Sequence, residues 1–91
     1  MMPTLRQRIV ERLRQGSATV RQLAGELELP IARITDDLRH IQRSLGRRLQ
    51  IEPSRCLACG FVLSKRQRFT APSRCPRCRS EQTTEPVLFL R

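Results

Sequence analysis

The sequence predicts a small α+β fold in two modules. Three observations predict it: helical periodicity confined to the first half, four cysteines confined to the second, and two short strand-like runs flanking the cysteines. At 91 residues there is room for one compact domain or two very small ones, and so short a chain needs a staple. The pattern changes near Pro53, dividing the chain into residues 1–53, helical and cysteine-free, and residues 54–91, which carry the cysteines and a terminal strand.

The first helix is expected from Leu5 to Gln15, where Leu5, Ile9 and Leu13 recur at four-residue spacing with arginines on the other faces. Thr4 caps its start and Gly16 ends it. Thr19 and Gln22 have capping-box spacing and open a short second helix with Val20, Leu23, Ala24 and Leu27. Pro30 suits the first turn of a third helix, in which Ile31, Ile34, Leu38, Ile41 and Leu45 form one buried stripe ended by Gly46. Arg48 to Glu52 alternates and reads as a strand, and Val87 to Leu90 reads as another.

Eighteen basic against eight acidic residues give a formal charge of +10, which favours a polyanionic partner, nucleic acid first. Four zinc-bound thiolates would reduce this to about +8, with the same consequence. Seventeen of the cations are arginine, which suits bidentate contacts to phosphate and guanine but equally follows from a GC-rich genome. Three phenylalanines, with no tyrosine or tryptophan, leave little on which to stack splayed bases, so single-stranded RNA is disfavoured.

Two short helices, a longer helix with a cationic face and a following strand have the layout of a winged helix-turn-helix. The third helix, around residues 31–45, would be the reader. Opposite its apolar stripe lie Ala32, Arg33, Asp36, Arg39, His40, Arg43 and Arg47, with Arg39 and Arg43 the first choices for guanine. Asp36 would repel phosphate; it accepts from a cytosine amine, pairs with Arg33 or Arg39, or marks a face pointing elsewhere. Arg48 continues the basic surface, and Lys65, Arg66 and Arg68 supply a second group between the cysteine pairs. His40 has no second base, nucleophile or carboxylate pair beside it in the pattern, so no enzyme is expected.

Cys56-Leu57-Ala58-Cys59-Gly60 and Cys75-Pro76-Arg77-Cys78 are two knuckles fifteen residues apart, the spacing of a four-thiolate zinc site. Four protein ligands leave no open position, so the one zinc is expected to be structural. Gly60 suits a left-handed turn closing the first knuckle, and Pro76 presets the second. Phe61, Val62, Leu63 and Phe69 are expected to form a miniature core against the knuckles. Two disulfides would need an oxidising compartment, and a rubredoxin-like iron site would ordinarily be acidic and aromatic. Arg55, Arg74, Arg77 and Arg79 flank the site and offset its negative charge.

Together, the helical pattern through Leu45, the strand to Glu52, the run Arg55-Cys56-Leu57-Ala58-Cys59-Gly60-Phe61-Val62 and the run Pro72-Ser73-Arg74-Cys75-Pro76-Arg77-Cys78 carry a family likeness. The chain resembles the predicted transcriptional regulators of archaea and bacteria in which a winged helix-turn-helix is fused to a zinc ribbon. The resemblance implies zinc held by the four cysteines and regulation of transcription through duplex DNA. If the two strands pair, the ribbon becomes an elaborated wing. Other readings are a module docking on RNA polymerase or another transcription protein, and a zinc or redox sensor. Many such readers bind paired half-sites as homodimers. The lack of a long apolar run argues for a cytoplasmic protein.

Overall fold

Each of the first two helices begins where a threonine is followed three residues later by a glutamine. The computed structural model describes residues 4–63 and 68–91. It shows reciprocal capping boxes at both places, with the Thr4 and Thr19 hydroxyls accepting from the Gln7 and Gln22 amides at 3.2 and 3.1 Å. The glutamine side chains accept in return from the threonine amides at 2.7 and 2.8 Å, satisfying amides that the first turn leaves without partners. α1 therefore spans Leu5–Gln15 and α2 Val20–Leu27.

α3 spans Ile31–Leu45. Pro30 precedes its first turn as the cap residue, with extended ψ of 147°, and its carbonyl accepts from the Arg33 and Ile34 amides at 3.1 and 3.2 Å. Gly46, at φ +56°, ends α3 and begins a single 3-10 turn through Arg48. That turn takes Arg48 out of the expected strand: β1 is Leu49–Glu52, and the Arg48 carbonyl still accepts from the Arg91 amide at 2.8 Å just beyond the ladder.

β1 pairs antiparallel with β2, Val87–Leu90, in the register Leu49 to Leu90 and Glu52 to Val87. Residues between these paired strands include all four cysteines, so the ribbon is inserted into a hairpin. Ala18, between α1 and α2, adds a further bridge to Leu88 on the β2 backbone. Toward the cysteines the pairing continues irregularly: Thr84 donates to the Arg55 carbonyl and Leu57 to the Gln82 carbonyl, both at 2.8 Å. Ser54, only 2% exposed, sits at this junction, its hydroxyl donating to the Thr84 carbonyl and its own carbonyl accepting from the Leu63 amide.

One apolar core joins Ile9 and Leu13 of α1, Val20 and Leu23 of α2, Ile34, Leu38 and Ile41 of α3, Leu49 and Leu88 of the strands, Ala18 and Phe69. Two expectations need correction here. Ile31 is 41% exposed instead of buried, since it opens the first turn of α3, and the buried set instead includes Asp37 at 5%. Asp37 lies three residues after Ile34 and four before Ile41, on the edge of the stripe, where Arg6 of α1 and Arg33 reach its carboxylate at 3.4 and 3.3 Å. Phe69 packs into the helical core and Val62 is 43% exposed, so of the expected miniature core only Leu63 is fully enclosed. Phe61 stays half-buried in the ribbon under the Arg77 guanidinium, whereas Phe69 gains full burial in the helical core.

Candidate functional site

The two knuckles are built alike. In the first, the Gly60 amide donates to the Cys56 carbonyl at 3.0 Å and the Cys56 amide to the Phe61 carbonyl at 2.9 Å. In the second, Arg79 donates to the Cys75 carbonyl at 2.9 Å and Cys75 to the Ser80 carbonyl at 2.8 Å. The turn that Gly60 makes at φ +78° is made by Arg79 at φ +62°, so a left-handed arginine stands where the first knuckle has glycine. Aligning Cys59-Gly60 with Cys78-Arg79 would have exposed that equivalence in the sequence.

These turns converge four sulfurs that all lie within 4.8 Å of one another. The Cys56 and Cys78 sulfurs are 3.5 Å apart, and those of Cys59 and Cys75 3.7 Å. Both distances far exceed a disulfide bond of about 2.05 Å, and all four cysteines are free. A tetrahedron with zinc–sulfur bonds of about 2.3 Å has edges of about 3.8 Å, close to both spacings.

Electrostatics also favour a cation. The Cys59 amide, 3.5 Å from the Cys56 sulfur, leads the interactions that lower that thiol to about 6. Cys75 is lowered too, first by the Cys78 amide and also by that of Arg77 at 3.4 Å. At Cys78 the Ser80 amide pulls downward, but the Cys56 sulfur, burial and the remaining cysteines push the thiol up to about 12. A crowded set of sulfurs resists a further negative charge unless a metal neutralises it. The Arg77 guanidinium lies 5.3 Å from the Phe61 ring centre and Arg74 pairs with Glu81 at 3.7 Å, so two of the flanking arginines make structural contacts.

The other candidate residues lie mainly along α3. Arg39 and Arg43 are exposed, His40 is half-buried, and Arg47 and Arg48 project from the 3-10 turn beyond it. Among the described residues no carboxylate lies within salt-bridge distance of Arg39, Arg43, Arg47 or Arg48. Arg33 differs, being held by Asp37. Arg68 is exposed; Lys65 and Arg66 fall outside the described residues. No helix among those residues is long and apolar enough to cross a membrane.

Two family models match the chain: PF0610-like, N-terminal, over residues 4–50, and the PF0610 rubredoxin-like zinc beta-ribbon domain over residues 53–90. The chain is similar to a solution NMR structure of protein PF0610 from Pyrococcus furiosus, with 33% identity and a TM-score of 0.74 over 96% of this chain and 88% of that one. No curated protein matches it. The ribbon family and the four clustered thiols together establish one structural zinc ion, held by Cys56, Cys59, Cys75 and Cys78.

Proposed function

The chain belongs to the PF0610-like family, and from that premise we propose that it is a zinc-containing, DNA-binding transcriptional regulator with a winged helix-turn-helix architecture. α3 enters the major groove of duplex DNA, and the β1–β2 hairpin, with the ribbon inserted in it, forms the wing. The observation that carries this reading is the row Arg39, Arg43, Arg47 and Arg48, unpaired with carboxylates among the described residues. These four arginines are exposed, three of them at four-residue spacing from Arg39 to Arg47, so their charge is open to a phosphate backbone. It sits on a chain of net charge +10.

The element order supports the same reading. The Ala18 bridge brings the α1–α2 connection to β2, Leu49 and Leu88 join the hairpin to the helical core, and Arg39 and Arg43 of α3 stay exposed. The structural zinc orders the inserted ribbon and supplies no open coordination position for chemistry. Its contribution is to hold the knuckles, and through Ser54 and Thr84 the base of the hairpin.

The test is binding of zinc-loaded protein to random duplex DNA at rising salt, with the retained DNA sequenced. Expected are one enriched motif and affinity that falls steeply with salt as phosphate contacts release counterions. Loss of all binding at moderate salt without an enriched motif would overturn the reading and direct the search to protein partners.

A further inference from the structure

The middle of the exposed α3 face holds a group that phosphate binding does not explain. Asp36 is exposed and, among the described residues, has no cation within salt-bridge distance. Its two neighbours of opposite charge do not neutralise it: Arg33 turns to Asp37 at 3.3 Å, and Arg39 makes no such pair. On this cationic face a free carboxylate weakens contact with any phosphate it meets, so its presence opposes general DNA affinity. A group that opposes general affinity is suited to selection among sequences.

We propose that Asp36 selects a cytosine, accepting its N4 amine in the major groove, while Arg39 donates to the O6 and N7 of a guanine beside it. This rests on the reading of α3 as the DNA-reading helix. A carboxylate can only accept, so it is repelled by the acceptor edges of guanine and by the O4 of thymine. Adenine sets its amine between its own N7 and the thymine O4, two acceptors; cytosine flanks its amine with an acceptor on one side only, the O6 of its partner guanine, and with its C5–H on the other. Residues three apart on a helix have Cβ atoms about 5–6 Å apart. With base pairs stacked about 3.4 Å apart, Asp36 and Arg39 reach the same pair or adjacent ones. Thr35, the nearest hydroxyl on this turn, already donates to the Ala32 carbonyl at 3.0 Å and does not compete.

The experiment recovers the bound sequences from random duplex pools for the native chain, Asp36→Ala and Asp36→Asn, each zinc-loaded and at matched salt. Exposure without an ion pair predicts that both variants melt at the native temperature and retain zinc, which checks their fold. The native motif is expected to hold a cytosine at one position, where exchange for thymine weakens binding roughly 5- to 150-fold. Asp36→Ala should erase the preference at that position alone, while affinity for duplex of unrelated sequence holds or rises with one anion gone from the face. Asp36→Asn should move it toward adenine, whose N6 and N7 match an amide. A native motif that survives Asp36→Ala intact overturns the inference while leaving the DNA-reading role standing. No enriched motif from the native chain overturns both.

Discussion

Ala18 and Leu88 exchange two backbone hydrogen bonds, at 3.0 and 2.8 Å, across seventy residues of sequence. The contact ties the link between α1 and α2 to the strand that closes the ribbon, and the Leu88 side chain on that strand is fully buried. Leu88→Ala should therefore destabilise the protein by about 2–5 kcal/mol, from lost burial and the cavity left behind. Denaturant unfolding monitored by helix content and by zinc release should show both transitions moving together; a ribbon that keeps its midpoint while the helices lose theirs would contradict the coupling.

Asp37 is buried, yet its partners Arg6 and Arg33 have side chains 53% and 60% exposed. Removing the carboxylate leaves both guanidiniums solvated, so the loss falls below that of a fully buried pair and above that of an exposed one. Asp37→Asn is expected to cost about 1–2 kcal/mol, measured as a shift in denaturant midpoint at unchanged slope.

Zinc takes the cysteines as thiolates, so protons compete with it. Without metal, Cys56 at about 6 is already ionised at neutral pH, whereas Cys78 at about 12 retains its proton. Zinc uptake at neutral pH should release protons, affinity should rise with pH, and the dependence should steepen as pH falls through about 6 and Cys56 also protonates. In the metal-free fold the lowered Cys56 contributes stability above its ordinary value of 9.0 and loses it as pH falls through about 6, whereas the raised Cys78 contributes below 9.0 and loses it as pH rises. Calorimetry in buffers of different ionisation enthalpy measures the protons released. Cys75→Ala should abolish tight zinc binding.

Glu28 ends α2 in a left-handed conformation, φ 56° and ψ 47°, which costs a residue with a Cβ about 1 kcal/mol relative to glycine. Glu28→Gly is expected to stabilise by about 0.5–1 kcal/mol, read from thermal or denaturant midpoints.

Arg39 and Arg43 are unpaired with carboxylates among the described residues, whereas Arg33 is engaged by Asp37. Under the proposed function, Arg39→Ala or Arg43→Ala weakens operator binding by about 1–3 kcal/mol. Arg33→Ala has a smaller effect on binding and a larger one on stability. Titrations at two salt concentrations separate the contributions: an arginine on guanine relaxes the motif, while one on phosphate lowers the salt slope uniformly.

Much of the local structure is legible in the residues. Thr19 and Gln22 mark one helix start, Gly46 one helix end, and the spacing of Cys56, Cys59, Cys75 and Cys78 by itself defines a metal site. Each signal acts over a few residues, through a side chain and the backbone beside it, or through a ligand pair that must face one ion. Asp37 was half legible: its spacing from Ile34 and Ile41 places it on the stripe edge, and Arg33 four residues before it is a local partner, but its second partner, Arg6, arrives from α1.

The sequence by itself determined the helices, their caps, the cationic face of α3 and the four ligands of the zinc, since periodicity, turn chemistry and ligand spacing are local properties. Tertiary structure alone decided that Ala18 joins β2, that Phe69 leaves the ribbon for the helical core, and that Arg6 of α1 reaches Asp37 of α3. These depend on which distant segments meet, and that choice is made by burying the greatest apolar area with every enclosed polar group paired, a condition on the whole chain.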